Sequence, residues 1–203
     1  MPPGPARSLT VDGIAAAAVE LADAGGLDAV TMRSVARAVG SSAPGLYRYV
    51  ASREELVGHM VDRVSADLDH PTPSAAWLED LLVVTERQVA LHRAHPWLAA
   101  ASAVPAPLGP HALDHLEWGL RVLAPVEVPA RAKMEAIAMT NGIAALFAAS
   151  GPVSPSLFRY LAADRHPELA ALAAKADPGE GSDDLLRRVL TGVVKAVLNP
   201  GDQ

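Results

Sequence analysis

The sequence predicts an all-α fold in which a three-helix N-terminal domain precedes a C-terminal helical bundle. Alanine and leucine are abundant, and both residues favour helix in the interior of a segment. β-branched residues do not alternate with polar residues as they would in half-buried strands. Proline and glycine fall at regular breaks, where one helix ends and another can begin.

Composition limits the class of protein. The 203 residues suffice for one compact domain or two small ones, and 50% of them are hydrophobic, enough for a sizeable core. No apolar run reaches the ~18 residues of a transmembrane helix, and residues 1–8 lack the apolar stretch of a signal peptide. We therefore expect a cytoplasmic protein with no membrane partner. The absence of cysteine excludes disulfides, thiolate metal sites and cysteine nucleophiles.

Charge is distributed unevenly along the chain. The net charge is −6, and most of the excess acidity lies in residues 66–203, whereas residues 1–65 are close to neutral. The segment Thr31–Val50 contains Arg33, Arg37 and Arg48 and no acidic residue. A local basic surface on an acidic protein can bind phosphate while the remainder repels it. A solvated helix face is the alternative interpretation of three arginines.

Local capping residues predict where the first two helices begin and end. The first helix is predicted at residues 11–24 with Thr10 as N-cap, and the second at residues 32–39 with Thr31 in the same position. The residue after the second helix is Gly40, which is the preferred type where a helix ends.

The third and fourth helices follow at once. A short helix is predicted at residues 44–50, with Pro44 in its first turn. The fourth is predicted at residues 52–69. Its first residues fit a capping box, in which the Ser52 hydroxyl and the Glu55 carboxylate satisfy free backbone donors.

The remaining two thirds of the chain also read as helices separated by proline-rich breaks. They are predicted at residues 75–94, 97–103, 111–123, 130–149, 155–163, 167–175 and 183–198.

Residues 31–50 have the order helix, tight turn, helix. In a helix-turn-helix the second helix lies in the major groove and exposes small or polar side chains there. Leu46 and Val50 are four residues apart and can face the core. This leaves Ala43, Gly45, Tyr47, Arg48 and Tyr49 available to contact phosphates and bases. The same helical corner also occurs in proteins that do not bind DNA.

The stretch Thr31–Leu56, TMRSVARAVGSSAPGLYRYVASREEL, resembles the TetR (tetracycline-repressor-like) family of transcriptional regulators. The resemblance covers about residues 8–68, a third of the chain, and its motif is specific as a set. The matching positions are Ala36, Gly40, Leu46, Tyr47, Tyr49, Val50 and the segment Ser52–Leu56.

The resemblance implies which residues contact DNA. It places Thr31, Tyr47 and Arg53 at phosphates, and it places other residues of the turn and second helix at or near bases. Ala43 stands where the tetracycline repressor's branch has a base-reading amide, so the operator sequence cannot be transferred. The complete predicted DNA-binding set is Thr31, Arg33, Ser42, Ala43, Pro44, Gly45, Tyr47, Arg48, Tyr49 and Arg53.

The resemblance also implies the organisation of the whole chain. Residues 1–52 would be the DNA-binding domain, residues 53–73 a connecting helix, and residues 74–203 a ligand-binding and dimerisation domain. Apolar stripes on the helices at 130–149 and 183–198 predict the homodimer interface. The stripe residues are Ala136, Ile137, Ile143, Ala144, Val189, Val193 and Val197.

Large apolar side chains and a few polar ones in the middle helices suit a pocket for a small lipophilic or aromatic effector. The predicted lining is His92, Trp97, His115, Trp118, Met134, Met139, Asn141 and Phe147. A plain core is the alternative, because any bundle packs with such residues.

No metal or cofactor is predicted. The pairs His111 with His115 and His92 with His95 have chelating spacing, but surface or packing roles are the expected ones.

These features together predict a repressor that binds a palindromic operator in double-stranded DNA as a homodimer and responds to a ligand. A helical protein-interaction module and an α-helical enzyme are the alternatives. An enzyme would need a nucleophile–base pair, a metal cluster or a phosphate-binding loop, and the sequence shows none.

Overall fold

The computed structural model describes residues 9–150, 160–162, 164–175 and 182–198, and within them it contains helices and no strand. The helices are α1 (Val11–Gly25), α2 (Met32–Ala38), α3 (Ala43–Leu46), α4 (Arg53–Ser65), α5 (Trp77–Ala94), α6 (Leu98–Ala101), α7 (Pro110–Val122), α8 (Ala130–Ala149), α9 (Pro167–Lys175) and α10 (Ser182–Leu198). A short 3-10 helix, which the sequence did not predict, covers Leu27–Ala29. The predicted all-α class is confirmed.

Several predicted boundaries need correction. The third helix ends at Leu46 instead of Val50, and residues 47–49 form a turn in which the Leu46 carbonyl accepts hydrogen bonds from both Tyr49 N and Val50 N. Helix α4 ends at Ser65, four residues before the predicted end. Of the helix predicted at 155–163, residues 160–162 are not helical and the others lie outside the described residues.

The first four helices and α6 enclose one hydrophobic core, here called the N-terminal core. Its fully buried members include Ile14 from α1, Val35 from α2, Leu46 from α3 and Met60 from α4. Trp97, which lies between α5 and α6, also belongs to this core.

Trp97 is 3% exposed, and its indole Nε1 donates to Asp23 Oδ1 over 2.7 Å. The same carboxylate oxygen lies 2.8 Å from His95 Nδ1. Asp23 therefore joins the end of α1 to the turn between α5 and α6. The prediction that Trp97 lines a ligand pocket is wrong, because its side chain is buried in the N-terminal core and hydrogen-bonded to Asp23.

Helices α5, α7, α8 and α10 enclose a second core, here called the C-terminal core. Helix α8 packs against both α5 and α10, and its buried residues share this core with Leu190 and Val194 of α10. The predicted dimer stripe is therefore partly wrong, because four of its residues are buried within the chain's own core. These residues are Ala136, Ile137, Ile143 and Ala144.

Helix α4 is tied to α7 by a side-chain cap. Asp62 Oδ1 accepts from His111 N at 2.8 Å and from Ala112 N at 3.2 Å, which satisfies two free donors in the first turn of α7. A Cβ at Gly109 would lie 2.2 Å from Asp62 Cγ, so this contact requires glycine. The negative charge also sits at the positive end of the α7 dipole.

We predict that Asp23→Ala lowers the free energy of unfolding by about 1–3 kcal/mol, because it leaves the buried Trp97 Nε1 without a partner. Chemical denaturation followed by circular dichroism measures this. Asp28→Ala, which removes an exposed carboxylate a few residues away, is the control and should change stability little. Equal stability of the two variants would show that the Asp23 contact contributes nothing.

Candidate nucleic-acid interface and ligand cavity

Side-chain and backbone caps define the helix-turn-helix. Thr31 Oγ1 accepts from Ser34 N at 3.0 Å, and Ser34 Oγ accepts from Thr31 N at 2.9 Å, which forms a reciprocal capping box at the start of α2. At the other end Gly40 has φ +67°, a left-handed conformation that favours glycine. Ser41 N then donates to Ala36 O at 2.8 Å, which closes a Schellman motif.

The start of α3 is equally constrained. Ser42 is its N-cap and accepts from Gly45 N at 3.2 Å, with Pro44 in the first turn as predicted. A Cβ at Gly45 would lie 2.7 Å from Ser41 Oγ and 3.2 Å from Ser42 Oγ, so a larger residue requires these hydroxyls to rotate. Glycine at this position therefore leaves the Ser42 cap undisturbed, in addition to any approach to bases.

The outer surface of α2, the turn and α3 is rich in cations. Arg33, Arg37 and Arg48 are exposed, and Tyr47 is 54% exposed beside the buried Leu46. None of the three guanidinium groups forms an ion pair within the described part of the chain. This surface leaves its positive charge available to an anionic partner.

The side chains of Tyr49 and Arg53 already make contacts within the protein, whereas that of Tyr47 is largely exposed. Tyr49 is half-buried against the N-terminal core, with the Arg48 guanidinium carbon 5.9 Å from its ring centre. Arg53 Nε donates to Val30 O at 2.8 Å, and its Nη2 donates to Leu27 O at 2.9 Å. Arg53 therefore fixes the start of α4 to the segment before α2. Its predicted phosphate contact stays a prediction, for which only the remaining N–H groups are available.

A cavity of about 390 Å³ lies between α4, α5, α7, α8 and the segment that joins α6 to α7. Its size is in the range of small-molecule sites, and most of its lining is apolar. Three predicted residues, His92, His115 and Asn141, line it.

The other predicted lining residues lie elsewhere. Trp118 is buried in the C-terminal core and donates its Nε1 hydrogen to Pro71 O at 2.7 Å. Phe147 packs against that core, and Met134 and Met139 are exposed. The prediction that these four residues line the cavity is therefore wrong: Trp118 of α7 and Phe147 of α8 pack in or against the C-terminal core, and Met134 and Met139 lie on the exposed side of α8.

A chain of hydrogen-bonded polar side chains lies at the cavity, and three of its members, Gln88, His115 and Asn141, line it. His70 Nε2 lies 2.9 Å from His115 Nδ1, and Asn141 Oδ1 lies 3.1 Å from His115 Nε2 and 2.5 Å from Gln88 Nε2. One assignment of protons satisfies these contacts. His70 donates to His115 Nδ1, and both His115 Nε2 and Gln88 Nε2 donate to Asn141 Oδ1.

Burial lowers the pKa of the histidines at and beside the cavity and so favours their neutral form. Desolvation lowers the pKa of His115, and it also lowers the pKa of His70, with a further contribution from His115. Desolvation likewise lowers the pKa of His92. Gln88 Oε1 and His92 Nδ1 are buried and have no hydrogen-bond partner within the residues that the structure describes.

The histidine pairs with chelating spacing are not brought together as ligand sets. His111 is exposed whereas His115 is buried, and His95 faces Asp23 whereas His92 lines the cavity. In the described ranges there is no cluster of three or more residues that could hold a metal ion. No helix among them is long and apolar enough to cross a membrane.

Two positions that contribute to the cavity or its surroundings were not predicted from the sequence. Gln88 had a usable signal, since it lies four residues before His92 on a mostly apolar face of α5. Asp62 had none, because its partners lie 49 and 50 residues further along the chain.

Comparison with known proteins gives a consistent result. A family model described as bacterial regulatory proteins, tetR family, matches residues 14–60. The HTH-type transcriptional repressor DrrR1 of Streptomyces coeruleorubidus is 36% identical over 141 residues, which are 68% of this chain and 52% of that protein. An HTH-type transcriptional regulator of Saccharopolyspora erythraea is 31% identical over 117 residues, 57% of this chain and 50% of that protein. The chain spans about half the length of these curated relatives.

Solved structures are similar over nearly the whole chain. The Streptomyces coelicolor TetR family protein ActR in complex with (S)-DNPA has 25% identity and a TM-score of 0.75, over 93% of this chain and 98% of that chain. ActR in complex with actinorhodin has 23% identity and a TM-score of 0.77, over 97% and 99%. These likenesses confirm the predicted fold, a helix-turn-helix domain followed by a helical domain.

We predict that stability falls as the pH drops below about 6.5, because the unfolded histidines then bind protons that the folded ones resist. Above that pH the contribution is fully present. Each histidine contributes a slope of at most about 1.4 kcal/mol per pH unit. His115→Gln should flatten the slope of unfolding free energy against pH, whereas His111→Gln, on the exposed side of α7, should retain it. Identical slopes in wild type and His115→Gln would contradict the assignment.

Proposed function

Because the chain belongs to the TetR family of bacterial regulatory proteins, we propose that it is a transcriptional repressor that binds a palindromic operator as a homodimer and is released by a ligand. The observation that carries the proposal is a single helix with two roles. Helix α4 starts at the helix-turn-helix, where Arg53 anchors it, and its later residues line the cavity.

Operator binding would use the exposed surface of α2, the turn and α3. Arginine and tyrosine side chains here can contact phosphates, and Arg48 can also reach guanine in the major groove. One such unit makes few contacts, so specific binding calls for two half-sites about one helical turn apart and a two-fold protein.

Dimerisation would use the outer faces of α8 and α10. Ala138, Gly142 and Leu146 lie on one exposed stripe of α8, and Gly192 is exposed on α10. A Cβ at Gly142 or Gly192 would have no heavy atom within 4 Å, so a second helix can approach both positions closely. These positions replace the buried part of the stripe predicted from sequence.

Release would pass through α4. Val57, Gly58, Val61 and Asp62 of this helix line the cavity, so an occupant that displaces them changes the position of the helix-turn-helix. The ActR complexes with small molecules support a ligand in a protein of this fold. For a ligand to weaken operator binding about 100-fold, it must bind the released form about 2.7 kcal/mol more tightly than the DNA-bound form.

We predict that Arg33→Ala and Tyr47→Ala each weaken operator binding by at least about tenfold, since each removes an exposed group from the proposed contact surface. Operator fragments selected from random DNA are titrated by fluorescence anisotropy at several salt concentrations. Arg33→Ala should also reduce the salt dependence of binding, because fewer counterions are released.

Arg121→Ala removes an exposed arginine from α7, where it pairs with Glu117, and serves as the control for the loss of one positive charge. It should bind DNA like the wild type. Circular dichroism checks that all three variants are folded. Unchanged affinity in both Arg33→Ala and Tyr47→Ala would remove this surface from the DNA interface.

We predict that Gly142→Gln dissociates the dimer while leaving the single chain at least as stable, because glutamine favours helix more than glycine does by about 1 kcal/mol. Light scattering at micromolar concentration measures the mass. Ala90→Gln, at an exposed position of α5, is the matched control and should remain dimeric. A monomeric wild type, or an unchanged mass in Gly142→Gln, would contradict the proposed interface.

A further inference from the structure

We propose that the cavity binds a neutral, largely apolar molecule carrying a hydroxyl group, and that this hydroxyl donates a hydrogen bond to Gln88 Oε1. The inference rests on the proposed function, since it assigns a ligand class to the cavity through which release is proposed. It goes further, because it names the recognised group and the residues that recognise it.

Within the described residues, the amide oxygen of Gln88 is an unpaired hydrogen-bond acceptor at the cavity. Gln88 is 7% exposed, and its amide nitrogen donates to Asn141 Oδ1. Its Oε1 atom is left without a partner in the described part of the chain. A buried acceptor of this kind is unfavourable unless something donates to it, and only an O–H or N–H group can do so.

The second argument is the position of His92. Gln88 and His92 are four residues apart on α5, so their side chains lie on the same side of the helix. His92 Nδ1 is also buried without a partner, and burial lowers the pKa of His92, which leaves the ring neutral. A hydroxyl has one donor and two acceptor lone pairs. One ligand hydroxyl can therefore donate to Gln88 Oε1 and accept from His92 Nδ1 in its protonated tautomer.

The third argument is charge. Among the described residues that line the cavity there is no lysine or arginine, and Asp62 is their one carboxylate. Asp62 already accepts two backbone hydrogen bonds from α7. An anionic ligand would lose its hydration without gaining a cationic partner, which is strongly unfavourable. The remaining lining is mostly apolar, with Val57, Val61, Leu91 and Leu116 among its members, so a hydrocarbon skeleton fits it.

The test uses four probes on one aromatic skeleton: phenanthrol, methoxyphenanthrene, phenanthrene and phenanthrene carboxylate, substituted at the same ring position. Their dissociation constants are measured with the full-length protein by isothermal titration calorimetry. Phenanthrol should bind at least about tenfold more tightly than its methyl ether and the parent hydrocarbon, because only it can donate to Gln88. The carboxylate should bind most weakly.

Two variants test whether Gln88 and His92 cause the preference for phenanthrol over its methyl ether. Gln88→Met keeps the length of the side chain and removes Oε1, and it should abolish the difference between phenanthrol and its ether. His92→Leu should reduce that difference, and it keeps the test valid if Gln88→Met does not fold. Glu86→Met, on the exposed side of α5, is the control and should retain the wild-type preference.

The inference is overturned if the carboxylate binds best, if the ether binds as well as phenanthrol, if no probe binds, or if folded Gln88→Met retains the preference. Titration of selected operator DNA separates this failure from that of the proposed function. If the protein binds operator DNA but shows no preference for the hydroxyl compound, the proposed ligand class is wrong and the proposed repressor function is unaffected. A hydroxyl preference that depends on Gln88, in a protein that binds no operator, would support the ligand class and contradict the repressor.

Discussion

The contact between Asp62 and the first turn of α7 determines how the helix-turn-helix is held on the rest of the protein. Helix α4 contributes Leu56, Met60 and Val64 to the N-terminal core, so it moves with the helix-turn-helix. Asp62 then fixes α4 to α7, whose other residues belong to the C-terminal core and to the cavity wall. The Asp62 carboxylate is therefore one of the contacts that relate the two cores, and Gly109 leaves the space that this carboxylate needs.

A second set of hydrogen bonds, from Asp23 to His95 and Trp97, joins α1 to the segment between α5 and α6. Because α1 and α4 pack against each other, the Asp23 and Asp62 contacts constrain the same group of helices. His95, Asp62 and His111 line one surface depression, so the two contacts lie near each other. Asp62 also lines the cavity, whereas Asp23 does not, so an occupant of the cavity meets the Asp62 contact directly.

Local features of the fold were predictable from the sequence, whereas contacts between distant residues were not. Thr10, Thr31, Ser42 and Ser52 cap helices through hydrogen bonds that span only a few residues, so their positions follow from short motifs. Even there one detail differs, since Glu55 accepts from Ala51 N at 2.5 Å and not from Ser52 N. Trp97 was predicted to line the ligand pocket because its residue type fits any apolar environment, and the structure places it in the N-terminal core. Only tertiary packing places it against Asp23, which lies 74 residues away. His92, His115 and Asn141 were correctly predicted to line the cavity, because they are polar residues on amphipathic helices and periodicity gives the face on which they lie.

Gly45 lies where an added side chain would first meet two serine hydroxyls. A Cβ there would lie 2.7 Å from Ser41 Oγ and 3.2 Å from Ser42 Oγ, so both hydroxyls would have to rotate, and Ser42 would then lose its hydrogen bond to Gly45 N. Tyr47 and Arg48 are exposed, so a substitution at either position leaves these caps in place. Ala43 is half-buried and offers an intermediate case, in which a longer side chain must leave the edge of the N-terminal core to be useful. Substitutions beside the turn therefore change the exposed surface while leaving intact the hydrogen bonds that hold α2 and α3.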